Sequence, residues 1–589
     1  MHPSNSPNGT KLSSGHDTPP NEIEGDTHGV DLQGLDGLTL YEKKCVLINR
    51  EIEYQGMGRY QWYIWCLCGF GYLLDLLWAQ AFGLALSPLQ QELGFSNSES
   101  GNIGTSFNAG MTAGAFVWGF LADIVGRRWA FNLTCLIASV FGLCLGASHN
   151  YNTFLVLTAF VGFGVGGNIP IDTTITLEFI PKASFPPCGF GYRLAFISTG
   201  KYNKRFLLAC LSVFQPIGVV LCSAIAFGFI PVYSCSPNFS QQDPLPSCRN
   251  VADGEECCSR GSNMGWRYLL FTIGAITLSV FILRFFVFTF RETPKYLIYR
   301  GQDAKAIETL HHMGQVNKRA CKLTLAVFES LTADDSSVGS GFGSGSGSGS
   351  GSASKAMLGG GNRQLKLSWN EKLPLEMSRY KMLFDGWQMT RLTILVWLTY
   401  IMDYWAFTVA GFYLPRILAL KNGAIDVSLT QTYAAYIYTY VPGIFGVLLG
   451  ALMYHIPSFG RKWTLVLSAA LMSTSIFLLS VVDTRAKNEG LFTMEYFFQS
   501  MFNAVLYGWT PEAFPAPVRG TACGLAGFWG RLFGIVSPLI AQHLYGRSEG
   551  EGDINAVLYL AGGVMLGCVV TTALLPTNKM ESTDARIQD

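Results

Sequence analysis

The chain has 589 residues, enough for about four soluble domains at roughly 150 residues each, yet only 14% of it is charged and 13% is aromatic, against about 25% charged in ordinary soluble proteins. With a mean hydropathy of +0.28, that composition excludes both disorder and a soluble enzyme covered in charge. Lys and Arg number 41 against 40 Asp and Glu, so there is no global positive excess to hold nucleic acid.

The first stretch, 1–60, is polar, with scattered Pro and Gly and no apolar run near Met1. It reads as a disordered cytosolic tail without a cleavable signal peptide. From there, apolar stretches recur that are long enough to span a ~30 Å hydrocarbon core, each needing about 20 residues. Twelve are expected, at 62–86, 99–122, 129–147, 153–178, 205–230, 266–289, 389–414, 431–454, 463–482, 491–510, 519–543 and 553–576. Six fall in an N-terminal bundle, 61–290, and six in a C-terminal bundle, 389–577, before a cytosolic tail at 578–589. Between the bundles, 291–388 is a polar loop. Within it Gly339–Ser352 is Gly and Ser apart from Phe342, a flexible linker. Ahead of that run, Ala306, Ile307, Leu310 and Met313 have helical spacing, which predicts a short amphipathic helix at the membrane surface.

Orientation follows from basic residues in short loops. With the amino terminus inside, one side collects Arg127, Arg128, Lys182, Arg193, Lys204, Arg205, Arg461, Lys462 and Arg519, and the flanks Lys43, Lys44, Arg291 and Lys295 add to it. Both termini are therefore expected in the cytosol.

The sequence repeats itself. Asp75 opens DLLWAQAFGLALSP in span one, and Asp403 opens DYWAFTVAGFYLP in span seven, each ending on a Pro. Gly119 opens GFLADIVGRR after span two, and Gly450 opens GALMYHIPSFGRK after span eight. Glu178 with Pro181 closes span four, as Glu512 with Pro515 closes span ten. All three landmarks recur in the same order about 330 residues later. Two homologous six-helix halves are what many secondary transporters contain, with a substrate site near the midplane where the halves meet. The expected fold class is thus an all-α integral membrane protein, with twelve transmembrane helices in two pseudo-symmetric halves.

These motifs resemble those of a known family. GFLADIVGRR is similar to the signature between spans two and three of the major facilitator superfamily. RETPKYL (Arg291–Leu297) and PEAFPAPVRG (Pro511–Gly520) are similar to the sugar-porter motifs after spans six and ten. Within that branch, GFGVGGNIPIDTTITLEFIP (Gly162–Pro181) most resembles fungal members related to synaptic vesicle transporters. The resemblance implies the major facilitator fold over residues 60–576. It departs from sugar porters in span four, where LTAFV precedes Gly162 in place of their usual Arg, so it does not carry over a sugar substrate or the usual Asp–Arg coupling pair.

Gly119 and Gly126 remove side chains where two helices approach closely, and Asp123 can accept hydrogen bonds from the positive end of a neighbouring helix, which makes a breakable latch. Arg127 and Arg128 either join that latch or anchor the loop at anionic lipid. Glu178, Arg461, Glu512 and Arg519 are read as completing the cytoplasmic gating network, although Tyr454 stands in the second copy where the first has Asp123. Gly162, Gly164, Gly166 and Gly167 match a loose nucleotide-loop pattern, but no strand and turn frame them, and close helix packing is the better reading.

Four ionisable side chains are expected inside spans: Asp75, Asp172, Asp403 and Arg531. Each costs about 2.5 to 3.5 kcal/mol or more at membrane depth, so it pairs, faces water or does work. Asp75 and Asp403 are candidate proton carriers. Arg531, which the repeat sets opposite Gln215, either holds an anionic solute or neutralises an Asp. Asp172 is assigned to gating or structure. Trp78, Tyr400, Tyr404, Trp405, Tyr507 and Trp529 either line a cavity or pack. Together Asp75, Asp403, Arg531, Gln215, Trp78, Tyr404 and Trp405 form the candidate substrate and proton-coupling set. In the loop after span five, Cys235, Cys248, Cys257 and Cys258 are read as two disulfides with pairing open, in preference to an all-thiolate metal site. Asn238, followed by Phe239 and Ser240, is the glycosylation candidate.

The sequence therefore predicts a monomeric transporter of a small polar organic solute working by alternating access, with proton symport, in the plasma membrane or a vacuolar or other endomembrane. Its partners are the solute, protons and the bilayer, with no nucleic acid, cofactor or metal; a sensor or scaffold on the same fold is the alternative. It is not read as an enzyme, since no metal-ligand cluster or nucleophile–base spacing stands out. One segment breaks the repeat. Arg519 follows Pro515 closely, whereas Lys204 and Arg205 follow Pro181 only after Ala183–Tyr202, which reads as an insertion, with a retained intron in the gene model as the candidate origin. Deleting 183–202 should leave a folded protein with its transport intact, checked by size-exclusion chromatography and flux; a deletion variant that aggregates counts against the insertion.

Overall fold

A computed structural model describes residues 40–181, 203–287, 291–340, 383–423, 428–454, 460–482, 484–514, 518–545 and 554–576, with Leu38, Lys381 and Ile456, and without Gln242 and Asp253. Ala183–Tyr202, most of the Gly/Ser run and the tail at 578–589 lie outside the described residues.

Helices stand at every expected span position. In the first half they run Arg59–Leu93, Gly101–Val125, Arg127–Gly146, Tyr151–Val165 with Asn168–Phe179, Asn203–Leu211 with Phe214–Phe229, and Gly265–Ile282, which continues through a wider turn at Leu283–Val287. In the second they run Gly386–Gly423, Leu429–Tyr440 with Pro442–Met453, Gly460–Val481, Arg485–Ala513, Arg519–Tyr545 and Ile554–Ala573. Among the described residues ten helices are long and apolar enough to cross a membrane. Spans two and ten are not among the ten; they carry the polar residues Asn108 in one, and Glu495, Gln499 and Asn503 in the other. All four are buried, so they face protein and not lipid.

The glycine-rich run of span four is a packing surface. A Cβ on Gly162 would lie 2.3 Å from the Phe107 carbonyl oxygen, and one on Gly166 2.2 Å from that of Met111, both in span two. One on Gly164 would lie 2.6 Å from the Ala138 nitrogen in span three. Backbones meet there without side chains between them, as small residues allow between membrane helices.

The halves meet through spans one and seven, two and eleven, five and eight, and five and ten. Proline chemistry shapes the first contact. Pro88 has no N–H to give the Leu84 carbonyl one turn earlier, and Tyr433 of span eight donates its hydroxyl to that carbonyl at 2.8 Å. Pro415 likewise leaves the Gly411 carbonyl without a helical donor, and Gly83 of span one backs onto it, where a Cβ would sit 2.6 Å away. At the other end, Ala209 and Cys210 of span five pack on Ala451 of span eight.

Two sequence expectations change. Leu40–Gln55, inside the stretch expected to be a disordered tail, is a helix, because Leu47, Ile48 and Ile52 share one face and bury it. The helix Asp303–Asn317 does carry the expected apolar face, yet Ala306, Ile307, Leu310 and Met313 pack against Leu47, Ile48, Ile52, Val327 and Phe328 in one cluster. That face is covered by protein and not laid on the membrane, and Lys44 pairs with Asp303 at 2.5 Å beside it. In the loop after span five, Cys235 is bonded to Cys258 and Cys248 to Cys257. The Asn238 side-chain oxygen accepts from the Ser240 N–H at 3.0 Å and its hydroxyl at 2.6 Å.

Replacing Gly166 by Leu should cost about 1–3 kcal/mol or more by overpacking, read as a lower unfolding midpoint of the purified protein. A midpoint unchanged from wild type would contradict the packing assigned to this run.

Candidate functional site

Two adjoining cavities lie between the halves. The first, of about 440 Å³, is lined by Asp75, Leu76, Ala79, Asn108, Met111, Gln215, Asp403, Tyr404, Phe407, Asn503, Tyr507 and Arg531. The second, of about 570 Å³, shares Leu76, Ala79, Asn108, Met111 and Phe407 and adds Gln80, Tyr440, Phe492, Glu495, Tyr496 and Gln499 among its walls. Helical spacing accounts for the lining. Asp75, Leu76, Ala79 and Gln80 share one face of span one, and Asp403, Tyr404 and Phe407 the matching face of span seven. Span ten contributes Glu495, Gln499, Asn503 and Tyr507, one row at every fourth residue.

Polar atoms in these walls lack protein partners. Asp75 Oδ1, Asp403 Oδ1, Glu495 Oε1, Gln499 Nε2, Asn503 Oδ1 and Arg531 Nε are all buried without a hydrogen bond. Arg531 crosses the interface and donates from Nη1 to the Gly166 carbonyl at 2.6 Å. Gln80 of span one donates to the Tyr440 hydroxyl of span eight at 3.0 Å. A buried polar group without a partner is costly, so such atoms collected around one space suit a polar ligand.

Of the seven candidates for substrate and proton coupling, the structure brings Asp75, Asp403, Arg531, Gln215 and Tyr404 to one cavity. Trp78 lies elsewhere: it is fully buried, donates to Thr277 of span six at 3.1 Å and leaves its ring no room beside Gly142 for more than hydrogen. Trp405 lines neither cavity and packs on Phe533. Tyr507 joins the wall, Tyr400 stacks behind Tyr404, and Trp529 rests on Trp397.

The set of four buried charges was too short. Glu495 was overlooked because it sits near the expected start of span ten, although the four-residue period Glu495, Gln499, Asn503, Tyr507 was there to be read. Arg284 was missed as well. It holds Asp172 at 3.5 Å with both side chains fully buried, donates to the Leu67 carbonyl at 2.9 Å, and lies over the Phe131 ring at 3.8 Å. Asp172 therefore ties spans within the first half and does not reach the cavity. Glu92 and Arg267 form another buried pair at 2.6 Å.

At the loop motifs assigned to gating in the sequence, the side chains of Asp123 and Arg519 lie outside the described residues. Gly119 faces open space, since a Cβ there meets nothing within 4 Å. Gly126 has φ of 109°, and a Cβ on it would lie 2.6 Å from a Glu292 carboxylate oxygen. Glu292, from the RETPKYL motif, accepts from the backbone N–H groups of Arg127 at 3.1 Å and Arg128 at 3.2 Å. It thereby caps the positive start of span three. Burial pushes its carboxyl above the ordinary range, while these N–H bonds pull the other way. Arg127 pairs with Glu178 at 3.2 Å and donates to Thr293 at 3.0 Å. In the second half Arg461 pairs with Glu512 at 3.1 Å, and Tyr454 donates to the same carboxylate. The Tyr that replaces Asp123 in the second copy is thus a partner of Glu512.

Comparison with known proteins agrees with this geometry. The Major Facilitator Superfamily model matches residues 68–328, and the Sugar (and other) transporter model matches residues 361–584. A protein named MFS siderochrome iron transporter 1, from Ceriporiopsis subvermispora, is 34% identical over 532 residues, 89% of this chain and 90% of its own. Synaptic vesicle glycoprotein 2A of Homo sapiens is 28% identical over 265 residues, 45% of this chain and 30% of its own. The xylose transporter XylE from E. coli, in a partially occluded inward-open conformation, matches with a TM-score of 0.57 at 14% identity, over 88% of this chain and 99% of that one.

The Asp172–Arg284 pair gives a direct test of the structural reading. Arg284→Met should cost about 3–5 kcal/mol by stranding a buried carboxylate, and adding Asp172→Asn should recover a large part of it. The double-mutant cycle on unfolding midpoints decides, and strictly additive losses would show the pair is not coupled.

Proposed function

The chain belongs to the major facilitator superfamily, an integral multi-pass membrane protein with the fold of a secondary transporter, and we propose that it moves a small polar organic solute by alternating access with proton coupling. The single observation that carries this reading is the pair of adjoining cavities between the halves, which collects Asp75, Asp403 and Arg531 with their unpartnered polar atoms. A solute that enters such a space supplies the missing hydrogen bonds from within. Asp75 is the assigned proton carrier: a carboxylate can neutralise itself by taking a proton, and the Asp75 and Gln80 face of span one touches both cavities. Asp403 is assigned to binding, beside the ring and hydroxyl of Tyr404. The cytoplasmic Arg–Glu networks are assigned to gating, the termini to the cytosol, and the halves to two bodies joined by 291–388.

The relative's name carries siderochrome iron and the fold neighbour's carries xylose, so both kinds of solute belong in the screen with carboxylates and amines. Purified protein in liposomes, with an imposed proton gradient, tests the reading. A sensor or scaffold on this fold would show no flux for any of them.

Asp75→Asn should abolish accumulation against a gradient while leaving counterflow exchange measurable, because the amide mimics only the protonated state. Full uphill transport by that variant would remove Asp75 from coupling. Arg531→Gln should selectively lose anionic solutes if Arg531 binds cargo; an unaltered solute profile in a well-folded variant would take it out of the site.

A further inference from the structure

The larger cavity has a feature that the general transport reading leaves unused. Glu495 is only 3% exposed, it lines the cavity, and its Oε1 has no protein partner. Among the described residues no Lys, Arg or His forms an ion pair with it. The guanidinium of Arg531 lines the other cavity. A carboxylate buried without a counter-charge is unstable in low dielectric, and it is relieved by a proton or by a cation.

The surroundings of Glu495 favour the cation. Tyr440, Phe492 and Tyr496 stand around the same space, with Tyr440 packed edge-on to Phe492 at 5.4 Å and to Tyr496 at 4.7 Å. Aromatic faces attract ammonium groups, and more strongly where water is excluded. The sum of charge agrees. Three carboxylates, Asp75, Asp403 and Glu495, line the joined cavities against one guanidinium, so an anionic group placed in the larger cavity would meet Glu495 at short range in poor solvent.

We propose that the larger cavity seats the ammonium group of an organic cation, with Glu495 as its counter-charge and Tyr440, Phe492 and Tyr496 as its walls. This rests on the reading of the cavities as a solute site and narrows it to a substrate class.

The test uses the full chain in detergent, with the unfolding midpoint titrated against benzyltrimethylammonium, a cation that cannot lose its charge. Benzyl alcohol and benzoate serve as neutral and anionic counterparts of similar size. The cation alone should raise the midpoint saturably, and Glu495→Gln should weaken its apparent affinity by about tenfold or more. Glu495→Asp should keep part of the affinity, and Phe492→Leu should weaken it for the cation without helping benzoate. A cation no better than benzyl alcohol, or bound equally by wild type and Glu495→Gln, overturns the proposal. So does a Glu495→Gln protein that keeps its cation affinity and loses only uphill accumulation, which would make Glu495 a proton carrier. Should Glu495→Gln fail to fold, Phe492→Leu decides by the same comparison. Flux is measured separately on the same preparation: Glu495-dependent cation binding with no flux of any solute sinks the transport reading and supports this site, whereas flux without selective cation binding does the reverse.

Discussion

Ionisable side chains inside a membrane-spanning bundle must meet an opposite charge, a backbone dipole or a polar cavity, because hydrocarbon solvates none of them. The chain divides its buried charges along these lines. Asp172 has Arg284, Glu92 has Arg267, and at the loop motifs Glu178 has Arg127 and Glu512 has Arg461. Among the described residues Asp75, Asp403 and Glu495 form no ion pair within hydrogen-bonding reach, and all three line the cavities between the halves. Arg531 takes an intermediate solution, a backbone carbonyl on the facing half. These charges gather where a bound molecule could answer them, and partnering distinguishes them from the paired ones more sharply than their depth along the sequence.

The interface around those charges is built from weakened backbone. Prolines in spans one and seven release carbonyls that an unbroken helix would satisfy internally. Tyr433 answers one of them from across the interface, and the missing side chain of Gly83 lets the other approach. Gly101 and Gly534 serve the same purpose between spans two and eleven, where Thr105 also donates to the Ile535 carbonyl at 3.2 Å. Each of these contacts joins neutral groups, so breaking one strands no charge.

Much of this was legible in the amino-acid sequence, for physical reasons. Lipid demands long apolar helices, so span positions were clear, and repetition within the sequence placed Asp75 against Asp403 and Glu178 against Glu512. Glycine spacing gave the packing face of span four because only the absence of a side chain permits that approach. What stayed hidden depends on rotation and on partners far apart in the chain. Whether Trp78 faces a cavity or the inside of its own half turns on one helical rotation, and Thr277 and Gly142, which decide it, lie in other spans. Gly119 was read as a close contact from its motif, yet among the described residues nothing lies within 4 Å of a Cβ built there. Arg284 and Glu495 both lie within five residues of an expected span end, 289 and 491, where a charged side chain reads as reaching the membrane surface. The helix at Leu40–Gln55 has a face that makes sense only against Asp303–Asn317, some 260 residues away.

The two kinds of contact also divide by location, and the division bears on movement. Ion pairs, including the Asp172–Arg284 tie and both Arg–Glu networks, lie within one half, where low dielectric and multiple hydrogen bonds make them hard to part. Contacts across the halves are glycine surfaces and single bonds to neutral oxygens, among them Gln80 to Tyr440 and Tyr433 to Leu84. Apart from the Arg531 guanidinium on the Gly166 carbonyl, these cross-half bonds join neutral groups, and a body held internally by ion pairs parts along such a seam first. Rocking of two rigid halves, the motion expected of this architecture, would then exchange neutral bonds worth about 0.5–1.5 kcal/mol each and the Arg531 bond to Gly166, worth about 1.5–3 kcal/mol, while the ion pairs within each half stay closed.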